Sequence, residues 1–458
     1  MKTVPGGQAP PAGGYSLPQH ITRTLRLAIP AMLARAGMVI LITVDTAMTG
    51  HAGTTELAHF GLSLAPFMIL MVVGIGMLAG TPILTAQRDG AGQCASCGAI
   101  WHVGLLLAGA MGVIGGLLLL AGEPLFLALE QSPAMAAGAA SVLTMHAFGL
   151  PAMLLFLATA FFLEGISRPT PGMIIALTAN FLNVGLNWLL IEGNWGAPAM
   201  GADGAALATS ITRWIMFGAL AGYVWTMRDG ARFGVRGSLR NQQETIRKTL
   251  RLGTPLALTT GLEVSAFGLV ATFAGRMGEA SMAGYQASMN VVSLVFMLSI
   301  GLGAATAVRI ANAVGRDSPP DMARAGWTGL GLVLGLMVLL GLGLWAAPGP
   351  VASLYSDDSA VRAIMLAGLS VVAVMIILDG AQAVLASAAR AIGDVLVPLG
   401  LFGFSFWLLG VPLAFWLGLS ADYGVPGLLV GMSVGLALAA LALGIRFWAA
   451  VRRGVRPI

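Results

Sequence analysis

Of the 458 residues, 57% are hydrophobic and only 9% are charged. A soluble domain carries about 25% charged residues, so this chain has too few to clothe a water-facing surface and reads as an integral membrane protein. The net charge of +5 comes from Lys and Arg scattered through short loops, with no basic face interleaved with aromatics, which excludes a nucleic-acid binder.

The start, "MKTVPGGQAPPAGGYSLPQH", is rich in Pro and Gly and has no apolar core, so residues 1–22 are expected to be a disordered tail and not a signal peptide. Apolar runs long enough to cross roughly 30 Å of hydrocarbon as helices follow. The first six fall near 26–50, 57–86, 99–121, 136–165, 170–192 and 201–226, forming a first lobe over 23–227. A basic linker, 228–248, separates them from six more near 249–275, 280–313, 324–346, 360–391, 395–419 and 424–448, a second lobe over 249–450 with a short tail, 451–458. Loops rich in Arg, including Arg88, Arg168, the linker and the C-terminal tail, alternate with neutral or acidic ones such as "LYSDDSA". By the positive-inside rule both termini and the linker face the cytoplasm.

The two halves resemble each other. "RLAIP" (26–30) returns as "RLGTP" (251–255), Gly80 lines up with Gly303, and Gly201 and Gly204 line up with Gly424 and Gly427. Six spans per half is an even number, so the expected fold is all-α: about twelve transmembrane helices in two six-helix bundles related by a parallel internal repeat, with a cavity between lobes. Glycine-rich runs such as "GIGMLAG" read as places of close helix approach, not as nucleotide loops. Cys94 and Cys97 form a single CxxC with no second pair, and small-residue filler is the expectation for them.

Carboxylates inside spans are costly and usually face a cavity or a partner. Asp45, Glu263 and Asp379 are of this kind. At 1.5 Å per residue, Glu263 lies roughly 18 Å in from Arg251 and Asp379 roughly 16 Å in from Arg390, a common depth. Asp45, Asn183 and Asn187 form a second polar group, at roughly 22–28 Å from the first lobe's cytoplasmic arginines. The in-span arginines Arg35 and Arg213 would neutralise such acids if a neighbouring helix brought them near. Glu164, four residues before Arg168, reads as an interfacial ion pair with it.

"VDTAMTGH" (44–51), "RLGTPLALTTGLE" (251–263), "YQASMN" (285–290) and "LDGAQ" (378–382) resemble the multidrug and toxic compound extrusion family in its NorM-like bacterial branch. The resemblance runs over essentially all twelve spans. It implies a secondary antiporter of the bacterial inner membrane that expels organic cations in exchange for protons or sodium, with no cofactor beyond the coupling ion, and acts as a monomer. It carries transport roles onto Asp45, Asn183 and Asn187, cation binding onto Glu263 and Asp379, and neighbouring polar roles onto Gln286 and Asn290. Sodium-linked relatives have a Tyr one turn before the tenth-span Asp, where this chain has Met375. A thioether is a poor ligand for a hard cation, so the proton is the expected coupling ion. The alternative is a lipid-linked oligosaccharide flippase, which would need several cavity arginines or lysines for a pyrophosphate. The chain offers only Arg35 and Arg213 beside three acids. No paired-His motif or nucleophile constellation points to an enzyme.

Overall fold

In hydrocarbon every backbone N–H and C=O must be paired within the chain, and a helix does this locally. The computed structural model describes residues 16–237 and 242–455, and among these residues only helical elements, turns and irregular backbone occur. Twelve of the described helices are long and apolar enough to cross a bilayer: Leu17–Ala52, Thr54–Gly90, Cys94–Leu119, Pro133–Gly165, Thr170–Glu192, Gly201–Thr226, Gln243–Arg276, Glu279–Gly315, Pro319–Ala346, Ser359–Ala391, Leu396–Ser420 and Gly424–Arg453. They are called the first to twelfth spans below.

The differences from the sequence reading lie at the ends. The first span starts at Leu17, inside the stretch 1–22 expected to be a tail; residues 1–15 of that stretch lie outside the described residues. "SLPQ" explains the early start. The Ser16 N–H donates to Gln19 Oε1 (2.9 Å) and Pro18 stands in the first turn, half of a capping box with a proline where no N–H is needed. The seventh span likewise begins at Gln243, within the expected linker, and the twelfth runs on to Arg453. Residues 238–241 and 456–458 lie outside the described residues.

The linker is also more than a tether. Phe233 and Val235 are buried in a core with Trp101, Phe162 and Leu220. The Gly98 N–H donates to the Phe233 carbonyl (2.6 Å), and Arg168 holds Asp229 through two hydrogen bonds of 3.0 and 2.5 Å.

The internal repeat is visible in local geometry. Gly201 and Gly424 open the sixth and twelfth spans with φ of 54° and 62°, a left-handed backbone that a side chain disfavours. Three residues on, a Cβ at Gly204 would run into the Leu190 carbonyl, and one at Gly427 would lie 2.8 Å from the Leu417 carbonyl. Each of these spans thus rests on the end of the span before it at a point where only glycine fits.

By compactness the chain divides into two units, one formed by residues up to Met32 with those from Leu258 onward, the other by Leu33–Ala257. The first and seventh spans are therefore each shared. In both, a proline inside the helix stands two residues before the division, Pro30 before Met32 and Pro255 before Ala257. The unit from Leu258 onward has a core that includes Tyr285, Met375, Phe402, Phe406 and Leu436. Leu33–Ala257 has a core around Phe67, Leu143, Leu150 and Leu154. Large apolar side chains such as Phe181 and Leu339 point outward, 82% and 68% exposed, as a lipid-facing surface requires.

Candidate functional site

Asp45, on the first span, is 1% exposed. Its Oδ1 accepts from Asn187 Nδ2 (2.8 Å) and its Oδ2 from the Thr209 hydroxyl (2.5 Å). Asn183 Nδ2 donates to the same hydroxyl (3.0 Å), and Asn187 Nδ2 also reaches Asn183 Oδ1 (3.2 Å). Asn183 and Asn187 are one turn apart on the fifth span, so both side chains leave one face toward the carboxylate. The sixth-span Thr209 completes the network and was not singled out from sequence. The signal available for it was the polar run Thr209, Ser210, Thr212 and Arg213 within an apolar helix.

Beside this network Arg213 is 4% exposed, with its guanidinium over the Phe67 ring at 4.6 Å. Its charge acts on Asp45. His146 stacks on Phe67 as well, with ring centroids 4.9 Å apart. Arg35, the other in-span arginine, lies 3.5 Å from Glu164. The expected Glu164–Arg168 pair is thus replaced: Glu164 takes Arg35, and Arg168 takes Asp229. The helix ends at Gly165 and Ser167 adopts a φ of 62°, which removes Arg168 from the helical register that an i,i+4 pair needs.

In the other unit, Glu263 on the seventh span meets the tenth span. Gln382 Nε2 donates to Glu263 Oε1 at 3.5 Å, and Asp379, one turn before Gln382, is 5% exposed and within electrostatic reach of Glu263. Arg390, nearer the end of the tenth span, also acts on Glu263. The eleventh span fixes the backbone alongside, since Trp407 Nε1 donates to the Leu262 carbonyl (3.0 Å). Trp407 sits in a π-helical stretch, Gly403–Gly410.

Gln286 and Asn290 are exposed, and no hydrogen bond or ion pair among the described residues joins them to Glu263 or Asp379. Asn290 Oδ1 instead accepts from the Tyr355 hydroxyl (2.8 Å). The neighbour brought to Glu263 is Gln382, three residues after Asp379 on the same helix. Met375 is fully buried in the core of its unit. Cys94 is half-buried, and the buried Cys97 directs its thiol to the Thr85 carbonyl (3.7 Å).

Twelve spans in two repeated sets of six, with carboxylates held inside each unit, are the build of a membrane transporter. The MatE family model matches residues 30–189 and 255–416, and the chain belongs to the MatE family, whose members are transporters and not enzymes. A probable multidrug resistance protein NorM of Caulobacter vibrioides is 34% identical over 424 residues, 92% of this chain and 90% of that protein. Its counterpart in Rhodopseudomonas palustris is 34% identical over 459 residues, 97% of this chain and 96% of the other. Among solved structures, the eukaryotic MATE transporter AtDTX14 superposes with a TM-score of 0.86 over 95% of this chain and 98% of its own, at 19% identity. An outward-facing multidrug resistance MATE transporter gives 0.86 at 20% identity, over 95% and 96%. These likenesses establish the fold.

Proposed function

We propose that this protein is a multidrug exporter of the bacterial inner membrane, with both termini cytoplasmic, which expels amphipathic, mainly cationic compounds in exchange for protons. The observation that carries this reading is the Glu263–Asp379–Gln382 group. Two carboxylates in electrostatic reach of each other inside a span do not both ionise cheaply. One of them holds a proton when no other cation is near, and a cationic compound entering the group takes that proton's place. Proton and cargo then exclude each other at a single site, which is antiport without a long coupling path.

The NorM names of the relatives support the efflux of drugs. The buried Met375 supports the proton over sodium. Its thioether is a poor partner for a hard cation that needs several oxygens. Flippase chemistry has little to work with, because Arg35 is engaged by Glu164 and Arg213 lies beside Asp45.

The test is efflux of a cationic dye from proteoliposomes in sodium-free medium under an imposed proton gradient. Transport is expected there. Silence without sodium, followed by transport on adding a sodium gradient at constant pH, would overturn proton coupling.

A further inference from the structure

We propose that the groove between the end of the tenth span and the twelfth span binds an anionic phospholipid. Arg446 and Arg453 would close on the headgroup phosphate, with the acyl chains along the outer face of the twelfth span. The site lies within one compact unit and is independent of which compound the protein exports.

The groove starts from the way the tenth span ends. Gly393 has a φ of 81°, its N–H donates to the Arg390 carbonyl (2.9 Å), and the Asp394 N–H donates to the Ala389 carbonyl (3.0 Å). This left-handed glycine closure carries Asp394 to the twelfth span, where it forms an ion pair with Arg446. Opposite that turn stand Ala442, Ala449 and Ala450, whose short side chains leave a cavity of about 610 Å³. Ile392, Ile445 and Val455 add apolar walls, and Arg446 and Arg453 are its cations.

Arg446 gives its Nε–H to Asp394 and makes no other hydrogen bond among the described residues. A guanidinium carries five N–H donors, so the ion pair fixes its direction and leaves the others for a ligand. Arg453 is exposed and makes no hydrogen bond or ion pair among the described residues. It follows Arg446 by two turns on the same face, roughly 10 Å along the helix, a gap that two long side chains can close on one phosphate. Two arginines against one carboxylate leave one positive charge, and Arg452, 3.7 Å over the Trp448 ring, adds a second beside it. An anion is the complement, and phosphate fits the planar fork of arginine.

The walls decide between a lipid and a free anion. Leu441 and Ile445 are 63% and 59% exposed and lead from the cavity toward the middle of the span. In a bilayer such side chains meet acyl chains, so a molecule with a phosphate head and apolar tails matches both parts of the groove.

The experiment is a titration of full-length protein in detergent with phosphatidylglycerol, and with phosphatidylcholine of the same chains, read by native mass spectrometry. Phosphatidylglycerol should bind about tenfold more tightly. Arg446→Gln/Arg453→Gln should erase that preference, whereas Arg228→Gln/Arg247→Gln, which removes two exposed arginines elsewhere, should keep it. Ala449→Phe fills the groove, leaves every charge in place and should weaken both lipids. Should the groove double variant not fold, Arg453→Gln alone, at an exposed side chain, should still lose several-fold in the preference. Equal loss in the Arg228 and Arg247 variant would mean diffuse attraction and overturn the site, as would a preference that survives in the groove variants or is missing from the wild type. Displacement of phosphatidylglycerol by millimolar inorganic phosphate would also overturn it, in favour of a free anion.

Discussion

Asp379 is buried with no hydrogen bond from the described residues, and Glu263 has only one long contact, from Gln382 at 3.5 Å. Groups so weakly held by their own protein are available to a transported ion. Asp379→Asn and Glu263→Gln are therefore each expected to abolish dye efflux while leaving the melting temperature in detergent near that of the unaltered protein, because losing a buried charge relieves desolvation. Variants that fail to insert in the membrane would mark the acids as structural. The three acids were legible in the sequence because a charge in hydrocarbon is costly enough to need a reason. Thr209 and Gln382 were not, since neutral polar side chains also serve ordinary helix packing in membranes. Gln286 and Asn290 fall on a part of the eighth span that is exposed, and Asn290 answers to Tyr355 instead. Which way a helix is rotated is a property of packing that a family motif does not carry.

Helices show the same division between what patterning reveals and what it hides. All twelve spans follow from apolar length, and their ends moved by a few residues, at the first span through the cap at Ser16. Gly204 and Gly427 were legible as repeat partners, and their reason emerged only with the carbonyls they lie against. Gly204→Val and Gly427→Val are expected to cost about 1–3 kcal/mol each through overpacking, seen as a lower melting temperature. Gly268→Ala, with nothing within 4 Å of the new Cβ, should be neutral or slightly stabilising.

The fold of the 227–237 loop was hidden because Phe233 and Val235 are isolated apolar residues in a basic stretch. That loop has its own pH dependence. The Arg168 hydrogen bond holds the Asp229 carboxyl below the usual carboxylate range and pushes Arg168 upward. A depressed carboxylate contributes its stabilisation above its unfolded value, about 3.9, and loses it as pH falls toward the folded value. Protection of the 227–237 amides against exchange, measured relative to the intrinsic rate at each pH, should be high at neutral pH and fall in acid. Asp229→Asn should bring much of that loss of protection to neutral pH.

At the scale of the whole chain, the repeat was readable because its offset barely changes, 225 residues from Arg26 to Arg251 and 223 from Gly201 to Gly424. The topology drawn from the loops has a direct check. With Cys94 replaced by serine, a cysteine at the exposed Ala231 should escape a membrane-impermeant thiol reagent applied to intact cells, since a basic linker is costly to translocate. Labelling from outside would reverse the orientation.

The two compact units, in contrast, were not legible. A continuous helix shows no change of composition where it passes from one unit to the other, and only Pro30 and Pro255 stand near those points. The sharing of the first and seventh spans bears on how the protein can be made. A chain severed in the linker would give two fragments, and neither would hold a complete unit. The leading fragment would lack the start of the seventh span, Gln243 to Ala257, and the trailing fragment would lack the first span up to Met32. The two similar halves are each born incomplete: Leu33–Ala257 is whole only once synthesis has passed the linker and reached Ala257, and the other unit draws on the chain up to Met32, made long before the rest of it from Leu258 onward.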